Sequence, residues 1–119
     1  MAEVPFELSP EQAAELIAHG EAELIDVREG YEHQEGHIPG SRNIEVTELT
    51  AAAETLDRDR PVVFYCRSGD RSGMPAEAYK ASGWDAYSIE GGLAAWVEAG
   101  HPLEPENGQV AQRRPGPQN

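Results

Sequence analysis

The run Pro61-Val62-Val63-Phe64-Tyr65-Cys66-Arg67-Ser68-Gly69-Asp70-Arg71-Ser72-Gly73-Met74-Pro75 constrains this chain more than any other stretch. A β-rich apolar segment stops at the only cysteine. A short loop with two glycines and two arginines follows, and a proline then opens a segment that reads as a helix. Strand, loop and helix N-terminus together make an anion site: backbone N–H groups turn inward, and the helix dipole adds about half a positive charge. A cysteine at the first position of such a loop faces an electropositive concavity, where thiolate is favoured over thiol. That is the setting of a nucleophile.

The rest of the chain is consistent with a sheet built around that strand. Ser9-Pro10-Glu11-Gln12 reads as a helix start, with Ser9 as N-cap, Pro10 at N1 and Gln12 completing a capping box. Gly20 is placed to end that helix. Phe6–Leu8, Ala22–Val27, Asn43–Val46, Val62–Tyr65 and Trp84–Ile89 read as strands. Glu29–Glu35, Leu49–Leu56, Pro75–Ser82 and Leu93–Val97 read as short helices, and His37–Ser41 as a rigid turn around Pro39 and Gly40. Strands alternating with helices predict an α/β fold with a parallel sheet covered on both faces. Ligands of such sheets bind beyond the carboxyl ends of strands, which is where Cys66 stands.

At 119 residues the chain is long enough for one core. Residues 1–104 read as a single domain. From 105 to 119 the chain is rich in Pro, Gln, Gly and Asn and has little to bury, so a disordered polar tail is expected. The formal charge of −13, with 9 basic residues against 22 acidic ones, excludes the basic face that nucleic acid or an anionic membrane needs. The N-terminus lacks the basic and apolar regions of a signal peptide, and no run reaches a membrane span, so a cytoplasmic protein is expected. One cysteine rules out an internal disulfide and leaves no resolving thiol within the chain. No histidine and cysteine cluster has zinc spacing, so no metal site is expected; His33 and His37 lack a supporting motif.

Three patches point together: Leu24-Ile25-Asp26-Val27-Arg28-Glu29 with Glu35-Gly36-His37-Ile38-Pro39-Gly40-Ser41; Cys66-Arg67-Ser68-Gly69-Asp70-Arg71-Ser72; and Ile89-Glu90-Gly91-Gly92 with Ala95-Trp96. Their order and spacing resemble a single-domain rhodanese from about Phe6 to Leu103. The resemblance implies a rhodanese-like fold with a five-stranded parallel sheet. It also implies a sulfurtransferase that needs no cofactor. Cys66 would attack the outer sulfur of a small anionic donor such as thiosulfate and carry a persulfide. Cyanide, a thiol or a sulfur-accepting protein would then take the sulfur.

Arg67, Ser68, Gly69, Asp70, Arg71 and Ser72 are the expected substrate-binding residues. Arg71 is expected to hold the donor or stabilise the thiolate and departing sulfite, Arg67 to steer anions from the rim, and Ser68, Gly69, Asp70, Arg71 and Ser72 mainly to supply backbone N–H donors. Asp70 is out of character, because a carboxylate beside the thiolate repels an anionic donor. The expectation is that it turns outward or pairs with an arginine; the alternative is that it disfavours thiosulfate and selects another donor. Asp26 and Arg28 are read as a structural pair and His37 as a packing residue. Two rival functions share the architecture. A phosphatase or arsenate reductase would use Cys-x5-Arg, whereas Cys66 to Arg71 is one residue shorter. A non-catalytic binding module would keep the fold without turnover.

Overall fold

In the computed structural model, which describes residues 7–111, five strands alternate with helices. The order is β1 (Glu7–Leu8), α1 (Pro10–Ala18), β2 (Glu23–Asp26), α2 (Gly30–Glu35), β3 (Arg42–Asn43), α3 (Leu49–Ala52), β4 (Val62–Tyr65), α4 (Gly73–Ala81), β5 (Ala86–Ile89) and α5 (Gly92–Glu98). All pairings are parallel, in the order β1-β5-β4-β2-β3, so β4 is the central strand.

Every residue of β4 is buried, and its two faces serve two cores. Val62, Phe64 and Cys66 pack with Ile25, Val27, Leu49, Ala76 and Trp84, which places α3 and α4 on one face. Val63 and Tyr65 pack with Ala13, Leu24, Ile38, Leu93 and Trp96, which places α1 and α5 on the other. A strand covered on both sides needs no polar alternation, which is why this run reads as continuously apolar. Each of these large side chains contributes about 1.5–3 kcal/mol by leaving water.

Local signals agree with most elements. The Ser9 hydroxyl accepts from the Gln12 N–H (3.1 Å) and Gln12 Oε1 accepts from the Ser9 N–H (2.9 Å), the expected capping box. Several boundaries differ: β2 and α5 shift by a residue at each end, and β5 begins at Ala86 rather than Trp84. β3 comprises Arg42–Asn43 rather than residues 43–46, because Val46–Glu48 turns into a 3-10 segment. The helix expected over 49–56 is α-helical only to Ala52; Ala53–Thr55 tightens to 3-10, with the Thr55 hydroxyl donating to the Ala52 carbonyl at 2.7 Å. Helix α4 begins at Gly73, two residues before Pro75. Proline is tolerated there because N–H groups of a first turn have no partner within the helix.

The expected tail is described only to Ala111; residues 112–119 lie outside the described residues, as does Phe6 of the first expected strand. Residues 108–110 touch the domain, just after the chain is tied to it at Glu104. His37 and Glu104 exchange backbone hydrogen bonds of 2.9 and 2.8 Å, and the Gln109 N–H donates to the Glu35 carbonyl at 2.8 Å. Val110 packs on the α1 and α5 core. Composition does not register such docking, because backbone groups make most of it.

Candidate active site

Cys66 follows the last residue of β4 and is fully buried. Its Sγ accepts the Gly69 N–H at 3.0 Å and the Arg71 N–H at 3.3 Å. Gly69 has φ +103, a left-handed conformation that glycine adopts at little cost and that turns its N–H onto the sulfur. The loop closes when the Gly73 N–H donates to the Gly69 carbonyl at 3.2 Å. Two N–H dipoles aimed at one atom form a small nest that stabilises negative charge there. The Ser72 hydroxyl lies 3.5 Å from Sγ, held by the Ser88 hydroxyl of β5 at 2.7 Å.

Of the expected N–H donors, Gly69 and Arg71 reach the sulfur, while Ser68 and Ser72 act through their hydroxyls. Asp70 departs from expectation. Its Oδ1 faces Sγ at 3.6 Å and accepts from the Ser68 hydroxyl at 3.0 Å, and no cation among the described residues forms a salt bridge with it. The carboxylate stays toward the sulfur because Ser68, two residues back, provides a partner inside the loop. The Ser68 hydrogen bond, against slight desolvation, holds the Asp70 carboxyl below the usual range, so it is ionised at neutral pH.

Arg71 also departs from expectation. Its guanidinium is committed to Glu32 of α2, with Nη1 to Oε1 at 2.8 Å and Nη2 to Oε2 at 3.0 Å. It braces the loop against α2 rather than pointing at the sulfur. Glu32 is fully buried, and its Oε1 also accepts the Glu29 N–H at 3.1 Å. Burial opposes its charge, but the Arg71 and Glu29 bonds prevail and hold its carboxyl below the usual range. Among the described residues Arg67 finds no side-chain hydrogen-bond acceptor, and its Nε is buried without a partner. Neither Glu32 nor Ser88 stands out in the sequence as a site residue. The only local signal for Glu32 is its position three residues after Glu29, which is capping-box spacing.

The glycine pair after β5 fixes the other side of the loop. The Leu93 N–H donates to the Cys66 carbonyl (2.8 Å) and the Ala94 N–H to the Arg67 carbonyl (3.0 Å). A Cβ on Gly92 would stand 2.6 Å from the Cys66 carbonyl oxygen, and Gly92 has φ +62. Gly92→Ala is therefore expected to destabilise the domain by about 2–4 kcal/mol, from overpacking and left-handed strain combined. A urea midpoint equal to that of the wild type would contradict this close approach.

The Rhodanese-like domain family matches residues 9–99. The chain belongs to this family. It is 40% identical over 76 residues to the uncharacterized protein YqhL of Bacillus subtilis, covering 63% of this chain and 60% of that one. It is 34% identical over 104 residues to the thiosulfate sulfurtransferase GlpE of Pseudomonas paraeruginosa, covering 87% of this chain and 93% of that one. Among solved structures, a rhodanese-related protein from Thermoplasma volcanium superposes with a TM-score of 0.75 at 31% identity, covering 82% of this chain and 95% of that one.

In this rhodanese-like domain the Asp26 and Arg28 pair is structural, as the sequence implies. Arg28 donates through Nε (2.8 Å) and Nη2 (2.6 Å) to the two Asp26 oxygens, and Nη2 also reaches the Gly36 carbonyl at 2.8 Å. Both side chains are fully buried. The His33 Nδ1 lies 2.8 Å from Asp26 Oδ2, and the rings of His33 and His37 stack with centroids 3.8 Å apart. Burial pushes the Asp26 carboxyl up, but the bonds to Arg28 and His33 outweigh it, so the group ends below its ordinary value. Asp26 and Glu32, with folded pKa values below their unfolded ones, contribute stability that is present above the unfolded carboxylate range and is lost as pH falls through the folded values. The urea midpoint should hold between pH 7 and 5 and drop between pH 5 and 3. A midpoint that stays level to pH 3 would contradict both pairings.

Proposed function

We propose that this protein is a sulfurtransferase that carries a sulfane sulfur as a persulfide on Cys66. The observation that carries the reading is the Cys66 sulfur at the carboxyl end of the central strand, accepting N–H groups from Gly69 and Arg71. Relatives named thiosulfate sulfurtransferase support it. In the thiosulfate reaction, the Cys66 thiolate attacks the outer sulfur, the donor S–S bond breaks, and sulfite departs with the electron pair. The Cys66 persulfide anion then passes its outer sulfur to cyanide, giving thiocyanate, or to a thiol or protein acceptor, and the thiolate returns. The two N–H donors stabilise the anion before and after transfer. With no second cysteine in the chain, discharge depends on an external acceptor.

Intact-protein mass after incubation with thiosulfate tests this. The protein should gain one sulfur atom, and added cyanide should remove it. A mass unchanged by thiosulfate and by other sulfane donors would end the reading. One observation favours a second reading, a non-catalytic binding module on the same fold: Cys66 is completely covered. That module would hold a partner and take up no sulfur.

A further inference from the structure

We infer that the charge around Cys66 selects a sulfur donor bearing an ammonium group, a small aminothiol persulfide, over the dianion thiosulfate, with Asp70 as the specificity-determining residue. This rests on persulfide chemistry at Cys66.

Three observations carry it. The Asp70 carboxylate faces Sγ at 3.6 Å, and Asp70 is exposed while Cys66 is fully buried, so this carboxylate forms part of the cover a donor must cross. The arginine that would offset it is engaged, because Glu32 takes both terminal nitrogens of Arg71. Beside the loop lies a cavity of about 270 Å³ lined by Val27, Glu29, Glu45, Val46, Thr47 and Arg71, so its wall carries two carboxylates against one already neutralised guanidinium. Arg67 is the one loop cation with no carboxylate partner among the described residues, but it is Asp70 that faces Sγ, so at the sulfur itself a dianion meets repulsion and an ammonium group attraction. The volume suits a small molecule.

The step balances without an oxidant or reductant. The Cys66 thiolate attacks the outer sulfur of R–S–S–H. The new Sγ–S bond forms as the donor S–S bond breaks, and the electron pair leaves on R–S⁻. The proton then passes from the new persulfide to that thiolate, giving Cys66–S–S⁻ and R–SH.

The test compares thiosulfate with cysteamine persulfide as donors, reading the rate of sulfur gain on the whole protein by intact mass. Intrinsic donor reactivity cancels when the ratio of the two rates is compared between variants. In Asp70→Asn the preference for cysteamine persulfide should shrink by about tenfold or more, thiosulfate speeding up and the ammonium donor slowing down. Asp70→Glu, which keeps the charge, should hold the wild-type ratio. So should Glu21→Gln, which removes one exposed charge just before β2, at the amino ends of the strands and away from Cys66 at their carboxyl ends. A ratio unmoved in Asp70→Asn, or moved equally in Glu21→Gln, would overturn the inference while leaving persulfide chemistry intact. Failure of every variant to gain sulfur from either donor would overturn both.

Discussion

Cys66→Ser is expected to gain no sulfur from any donor while remaining folded. A serine hydroxyl fits where Sγ sits and accepts the same Gly69 and Arg71 N–H groups, so the buried donors keep a partner. The exchange should therefore alter stability by only about 1–2 kcal/mol. Serine neither ionises at neutral pH nor forms a persulfide, so sulfur uptake should fall from one atom per chain to none. Because Cys66 is the only cysteine, residual uptake by the variant has no other thiol to explain it and would remove Cys66 from the mechanism. The same variant separates enzyme from binding module. An enzyme loses turnover with this substitution. A module keeps its partner, and its wild-type form takes up no more sulfur than the variant.

Glu32→Ala should be the most damaging change at a site with no chemistry of its own. It removes the carboxylate that takes two bonds from Arg71 and one from the Glu29 N–H. The Arg71 side chain is only 13% exposed, so its charge would lose its partner in a place water barely reaches. Breaking a buried pair on one side costs about 3–5 kcal/mol. The Arg71 backbone N–H is one of the two donors on the sulfur, so a loosened strut also displaces the cradle. Misplacement of about 1 Å in a reacting site costs on the order of 100-fold in rate. Urea midpoints and single-turnover sulfur uptake would read the two effects. Glu32→Gln, which keeps the shape and one hydrogen-bond acceptor, should lose less of each. A Glu32→Ala protein with the wild-type midpoint and rate would show that the strut carries nothing.

The fold was legible in the sequence where one signal dominated its neighbourhood. Continuous apolar character marked β4, and Ser9 with Gln12 marked the start of α1. Legibility failed at weak elements, where propensity is nearly even between neighbouring states. Leu49–Leu56 has good helix formers, yet its second half is 3-10. The expected Asn43–Val46 strand ends at Asn43 and turns into a 3-10 segment at Val46, while Glu45 Oε2 accepts the Gly30 N–H at 3.1 Å, a contact 15 residues away in the chain. Residues 105–111 read as tail by composition, yet 108–110 touch the domain through a bond to Glu35 and the apolar side chain of Val110.

The site divides the same way. The order of residues determined that a lone cysteine directly follows the apolar strand and that Gly69 stands where the loop must turn, for which short-range backbone geometry suffices; it paired Asp26 with Arg28 because buried charges need a partner. Only the tertiary structure decided where the charges went. Arg71 reaches 39 positions back to Glu32 rather than to the sulfur, and Ser72 takes its partner from Ser88. Asp70 stays over the thiol instead of turning away. A charged side chain is long, its partner can lie anywhere in the chain, and its direction follows from which opposite charge or polar group the fold brings within reach.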